Sequence, residues 1–234
     1  MSRCKNPFAG RCCPSLVAAG IVALAWGAAW PSSGPLPAYT PLHAAACAGD
    51  LDGLRELASG GRDGVDVRDA LGETPLHYAA QSGRADVVRW LIDQGADPCA
   101  RDCQGQTPLH NAAASYTGDG DAVAGELLSY YRSPDVTDDH RRTPLHAACR
   151  RGDIKLAMRL IAAGADVNAR DDLGQTPLYK VGYQDKAELV EMLARAGADL
   201  GVRDNEGHTA LSTLTARHSP RTVAALRRLG AAGG

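Results

Sequence analysis

Apolar residues in this chain fall in short blocks at helical spacing. In the block after Gly83 they stand at Val87, Val88, Leu91 and Ile92, with Arg84, Asp86 and Arg89 among them; after Gly152 they stand at Ile154, Leu156, Met158, Leu160 and Ile161. Such spacing predicts a helix with one wet and one dry face. The blocks close at Gly95, Gly164 and Gly197, where glycine takes the left-handed turn that ends a helix. A shorter block precedes each amphipathic one, opening on Thr-Pro and running into small residues, as in His77-Tyr78-Ala79-Ala80 and His146-Ala147-Ala148-Cys149. Threonine followed by proline reads as helix entry, because proline in the first turn gives up an amide that has no intrahelical partner. The alanines let neighbouring helices approach closely and favour helix themselves. A glycine break at Gly49, Gly83 or Gly152 separates the two helices of a pair.

The pairs recur. Thr-Pro-Leu-His occurs at Thr40-Pro41-Leu42-His43, Thr74-Pro75-Leu76-His77, Thr107-Pro108-Leu109-His110 and Thr143-Pro144-Leu145-His146, with eroded copies at Thr176-Pro177-Leu178-Tyr179 and Thr209-Ala210-Leu211-Ser212. Successive threonines are 34, 33, 36, 33 and 33 residues apart, a period that signals a stacked array. Five residues before the threonine stands Asp69, Asp102, Asp138, Asp171 or Asp204, and two before it Gly72, Gly105, Gly174 or Gly207, with Arg141 in the fourth unit. This Asp-x-x-Gly segment predicts a tight turn linking units. Gly-Ala-Asp triplets begin at Gly95, Gly164 and Gly197, in phase with the rest.

The phased pattern resembles ankyrin repeats. The resemblance implies an all-α solenoid of helix-turn-helix units joined by β-turn or hairpin loops, with repeats near 39–68, 69–101, 102–137, 138–170, 171–203 and 204–234. The end units read as caps, since terminal repeats meet water on one side. In the last, a short helix is expected from Thr222 to Leu229. One unit cannot bury its apolar face alone, so stability comes from stacking. The only phenylalanine, Phe8, lies outside the array, so the core must be leucine, valine, isoleucine and alanine.

The front of the chain has a different character. No Asp or Glu occurs before Asp50; Arg3, Lys5 and Arg11 precede an uncharged stretch from Ser15 to Trp30. A basic start and an apolar middle are the parts of an export signal. The apolar run Leu16–Trp30 is 15 residues, short of the roughly 20 that span a bilayer. Residues 1–30 therefore read as a signal peptide, with an uncleaved short membrane anchor as the alternative, and 31–38 as a Pro/Gly/Ser linker. The location expected is periplasmic or secreted, with membrane association only if the segment stays uncleaved. Without residues 1–38 there remain 22 basic and 27 acidic residues, a net charge near −5, which argues against general nucleic-acid binding.

Four of the seven histidines, His43, His77, His110 and His146, belong to the repeat; the resemblance implies that they hydrogen-bond threonine and loop backbone. His140, His208 and His218 lack metal-ligand spacing. Cys149 replaces an inner-helix alanine and reads as a core residue. Cys99 and Cys103 flank a turn, where an oxidising compartment would allow a bridge. Asp119 and Asp121, in the lengthened loop from Ser115 to Asp121, hint at calcium, yet two carboxylates make no ligand cage. With no phosphate loop, nucleophile elbow or His-Glu-x-x-His present, no catalytic residue, cofactor or metal is assigned.

Ankyrin-like arrays bind proteins along a concave face. The resemblance places at that face the residues four, three and one before each threonine and seven and eight after it. The candidates are Leu71, Glu73, Gln104, Gln106, His140, Arg142, Arg150, Arg151, Leu173, Gln175, Tyr183, Glu206 and His208. Arg141, Arg142, Arg150 and Arg151 cluster in unit four, as a solvated face beside Asp138, Asp139 and Asp153 or as an anchor for an acidic partner. The function expected is a monomeric, non-enzymatic protein-binding module. An accessory or inhibitory factor for a periplasmic enzyme or toxin, also acting by binding, is the alternative.

Overall fold

The computed structural model describes residues 40–59, 64–115, 117 and 119–231. The signal-like segment and linker expected over 1–38 lie outside the described residues, as do Tyr116 and Gly118 of the lengthened loop.

Each unit is a pair of short antiparallel helices. The inner helices are α1 (Pro41–Ala48), α3 (Pro75–Gln81), α5 (Pro108–Ala113), α7 (Pro144–Arg151), a 3-10 helix (Pro177–Tyr183) and α10 (Ala210–Ala216). The outer ones are α2 (Leu51–Ser59), α4 (Ala85–Asp93), α6 (Gly120–Leu127), α8 (Ile154–Ala162), α9 (Ala187–Arg195) and α11 (Pro220–Arg228). Inner helices pack on inner helices and, from α4 onward, outer on outer, so the chain is an all-α solenoid of stacked helix pairs. Among the described residues there is no strand, only an isolated bridge between Arg203 and Thr209, and no helix is long and apolar enough to cross a membrane.

The core is the sum of the dry faces. The repeat leucines Leu76, Leu109 and Leu145 are fully buried, joined from the outer row by Val88, Leu91, Leu127, Leu156, Leu160 and Leu193. The alanines Ala79, Ala80, Ala112, Ala113 and Ala148 are buried where inner helices meet, and Cys149 takes an alanine's place among them. Met158 departs from the sequence expectation: it lies two residues from both Leu156 and Leu160, on the opposite face of α8, and is 56% exposed. The sixth unit's outer helix starts at Pro220 rather than Thr222, because Ser219 and Pro220 supply the helix entry.

Two departures in unit five have clear causes. Its inner helix is 3-10, where Thr176-Pro177 led us to expect an α-helix. The motif histidine is replaced by Tyr179, and Val181-Gly182 stands where units one to three carry Ala-Ala; β-branched valine and glycine are weaker helix formers than alanine. Asp185, which stands where Gly49, Gly83 and Gly152 stand in their units, keeps the left-handed backbone with φ 46°.

Candidate protein-binding face

The repeated polar residues form scaffold bonds at every unit boundary. The His43, His77, His110 and His146 Nε2 atoms lie 3.0, 3.2, 3.0 and 3.0 Å from the carbonyls of Glu73, Gln106, Arg142 and Gln175, each in the next unit. A carbonyl only accepts, so Nε2 carries the proton and Nδ1 of the neutral ring is the acceptor. Nδ1 of His77 accordingly accepts the Thr74 amide at 3.1 Å and its hydroxyl at 2.9 Å, a reciprocal cap repeated at Thr40, Thr107 and Thr143. Burial depresses all four histidines, His77 and His146 to about 4, which keeps the rings in the form the network needs. Unit five makes the same boundary bond with another side chain: the Tyr179 hydroxyl lies 2.6 Å from the Val202 carbonyl and 2.8 Å from that of His208.

The turn tips are equally regular. One oxygen of each repeat aspartate accepts two amides, as Asp69 does from Leu71 (2.8 Å) and Glu73 (2.9 Å) and Asp204 from Glu206 (3.0 Å) and His208 (2.9 Å). Adjacent tips are stitched by single backbone bonds, Cys103 N to Leu71 O, Asp139 N to Gln104 O, Asp172 N to His140 O and Asn205 N to Leu173 O, at 2.8 to 3.0 Å. The residue two before the threonine is left-handed at every described tip, with φ 72 to 82° at the four glycines and 57° at Arg141. At Gly105 a Cβ would also stand 2.4 Å from an Asp139 carboxylate oxygen, so glycine there meets both demands.

Against this frame the sequence candidates divide into exposed and internally committed side chains. Leu71, Gln104, His140, Arg150, Leu173, Tyr183, Glu206 and His208 are exposed. Gln175 is buried and belongs to the interior: its Oε1 accepts Lys180 Nζ at 2.7 Å and its amide donates to Asp204 at 3.3 Å, while the same lysine pairs with Asp171 at 2.7 Å. Arg142 is half-buried and holds Asp138 through Nε and Nη2, both at 2.7 Å. Arg151 is half-buried and bonds the Ser115 carbonyl at 3.2 Å. The unit-four arginine cluster therefore does not act as one group, and Arg150 and Arg141 are its outward members.

Glu73 is half-buried and accepts the Asn111 amide at 3.0 Å; burial first, then Asp69 and Asp102, push its carboxyl up to about 7. Gln106 is half-buried and donates to Gln104 at 2.7 Å. His208 lies 3.4 Å from Glu206, and His140 lies 3.7 Å from Asp172. The Tyr183 ring carries the Arg217 guanidinium 4.6 Å from its centroid, a pairing not legible in the sequence because the two stand in different units.

Asp121, one half of the calcium hint, takes the Arg159 guanidinium instead, which holds its carboxyl low. Among the described residues no three His, Cys, Asp or Glu side chains form a metal cage, and no disulfide joins Cys99 to Cys103. The Cys149 thiol is buried and pushed up by desolvation, as befits a core residue rather than a nucleophile.

Paired helices, stitched tips and a buried polar ladder define a stacked helical-repeat protein of the kind that presents an extended face to other molecules. A family model for ankyrin repeats (3 copies) matches residues 28–102 and 99–171, and one for ankyrin repeats (many copies) matches 160–214. The chain belongs to the ankyrin repeat family, whose repeats generally serve as protein–protein interaction modules and are typically non-catalytic. No curated protein matches it.

Proposed function

We propose that this chain is an exported, non-enzymatic binding protein that holds a protein partner in the groove between its turn tips and its inner-helix ends. The observation that supports this reading is the division of labour among its polar groups. The motif histidines, threonines and aspartates are consumed by the scaffold, whereas Leu71, Arg150, Leu173 and Tyr183, at positions that vary between units, face water. Leu173 and Tyr183 are 59% and 57% exposed, and tyrosine is among the side chains enriched at protein interfaces. Export rests on the basic and apolar character of residues 1–30.

Two measurements test the proposal. The mass of the purified protein should correspond to a chain that has lost its first residues, and an intact Met1 in a cytoplasmic fraction would refute export. A photo-crosslinker at Leu173 should join the chain to a partner in its native compartment, and one at Met158, on the outer row, should not. Crosslinks from Met158 alone, or from neither position, would refute the groove.

A further inference from the structure

The groove is electrically two-sided. Its tip edge carries Glu73, Asp139, Asp172 and Glu206 against two arginines, the exposed Arg141 and Arg142, of which Arg142 is neutralised on Asp138. Its helix-end edge carries Arg150, Arg151 and Arg217, and in none of the six units does an aspartate or glutamate occupy either of the two helix-end positions. Two carboxylates that follow this edge in the sequence serve as helix caps. Asp153 accepts the Leu156 amide at 3.0 Å, and Asp185 accepts the Thr222 amide and hydroxyl, both at 2.9 Å.

Bonds along this edge link each unit to the next from unit three to unit six. Arg151 reaches back to the Ser115 carbonyl of unit three, Lys186 Nζ bonds the Gly152 carbonyl at 2.9 Å, and Arg217 Nη1 bonds the Tyr179 carbonyl at 3.0 Å while its carbon lies over Tyr183. Arg217 is thus held in one plane with N–H groups left for a carboxylate, and a guanidinium seated on a ring is the arginine state that pairs with carboxylates in a fork. Arg150 is exposed and makes no hydrogen bond or ion pair among the described residues. Tyrosine and arginine are also the side chains most often found at the energetic centres of interfaces.

We infer that the edge formed by Arg150, Tyr183 and Arg217 docks an acidic segment of a polypeptide partner, with carboxylates on the two arginines and an apolar or aromatic side chain against Tyr183. The inference rests on the binding-module reading above and adds the partner's chemistry to it. On the tips of units five and six the exposed carboxylates of Asp172 and Glu206 repel such a segment, so it lies along the helix ends and not across the groove.

The test uses the protein without its export segment and a short fluorescein-labelled peptide alternating glutamate with tryptophan, followed by anisotropy. Two counterpart peptides carry glutamine or lysine in place of glutamate. The acidic peptide should bind, weaken as salt rises, and exceed both counterparts by about tenfold or more. Arg150→Ala, which removes no internal contact, and Arg217→Ala should each weaken it, Tyr183→Ala should do so with less salt dependence, and Glu206→Gln at the tips should not. Equal binding of the glutamine peptide, no effect of Arg150→Ala, or equally tight binding of a single-stranded DNA of matched charge overturns the inference. So does failure of the acidic peptide to bind at low salt. In that last case a crosslinked partner at Leu173 keeps the binding-module reading intact, whereas absence of any crosslink removes both.

Discussion

Arg141 offers the most direct check on the geometry of the tips. The residue two before the threonine is left-handed at all five described tips, and Arg141 is the one that is not glycine there, at φ 57°. A side-chain-bearing residue in that conformation costs about 1–2 kcal/mol. Glycine removes that cost but brings an unfolded-state entropy penalty of about 0.5–1 kcal/mol. The Arg141 side chain makes no hydrogen bond or ion pair among the described residues, so its removal forfeits nothing comparable. Arg141→Gly should therefore stabilise the array by about 0.5–1 kcal/mol, a rise of about 1–4 °C in Tm for a chain of this size. Arg141→Ala should be close to neutral, because it keeps the strain and loses only an idle side chain. Urea and thermal unfolding of the three proteins decide the matter. Asp185 is the internal control: it is equally left-handed at φ 46°, but its carboxylate caps α11 through Thr222 and Arg221. Losing a cap costs about 1 kcal/mol, so Asp185→Gly should gain nothing or lose stability. If Arg141→Gly is no more stable than Arg141→Ala, the claim that the repeat imposes strain at this position is wrong.

Three further outcomes follow from the polar ladder and the core. Stability should fall on acidification: His77 and His146 are depressed to about 4 when folded, so the unfolded chain takes up protons first, and each costs about 2 kcal/mol between about pH 7 and pH 5. Glu73, raised to about 7, opposes them by about 2 kcal/mol over the same range, so Glu73→Gln should steepen the loss; a urea midpoint that rises toward pH 5 would contradict the histidine sign, and a pH slope unchanged in Glu73→Gln would contradict the glutamate sign. Leu145→Ala, at a fully buried position, should cost about 2–5 kcal/mol, and an unchanged denaturation midpoint would refute the placement. Tyr179→Phe removes the hydroxyl 2.6 Å from the Val202 carbonyl, while the His208 carbonyl keeps the Asp204 amide, and should cost about 0.5–1.5 kcal/mol, measurable as a lowered midpoint with far-UV circular dichroism preserved.

What was legible in the sequence is what the repeat imposes on every unit. Helix starts at Thr-Pro, tight turns at Asp-x-x-Gly and burial of the second residue after threonine are local consequences of residue type, and all are present. The positions that were misread depend on which side chains meet, within a unit at Gln175 and Arg142 and between units at Arg151. Gln175 occupies a place that is half-buried or exposed in the other described units, but Lys180, which stands where units one and four carry alanine, bonds both Asp171 and Gln175. Arg142 has a carboxylate four residues back, and that spacing across a tight turn was a readable sign that its charge was spent. Aligning the chain on threonine plus nine puts Asp185 and His218 in register with Gly49, Gly83 and Gly152, so their left-handed backbones were also within reach of the sequence.

The departures from the repeat rule have a direction. Units one and two keep glycine at their left-handed positions and histidine at their boundaries, and unit three departs through its lengthened loop. Among the described residues, units four to six hold the three non-glycine residues with positive φ, the 3-10 inner helix and the boundary at which tyrosine replaces histidine. The exposed Arg150, Leu173, Tyr183 and Arg217 lie in the same three units. Sequences keep every local rule where stability alone matters and break rules where another demand is made on the same residues. Lys180, Tyr183 and Asp185 break them together within six residues, at the edge that carries Tyr183 and receives Arg217. In a stack stabilised by nearest neighbours, the units that break the rules are also the first to open. Units five and six should accordingly lose amide protection before units two to four, and a partner docked on Tyr183 and Arg217 should restore it.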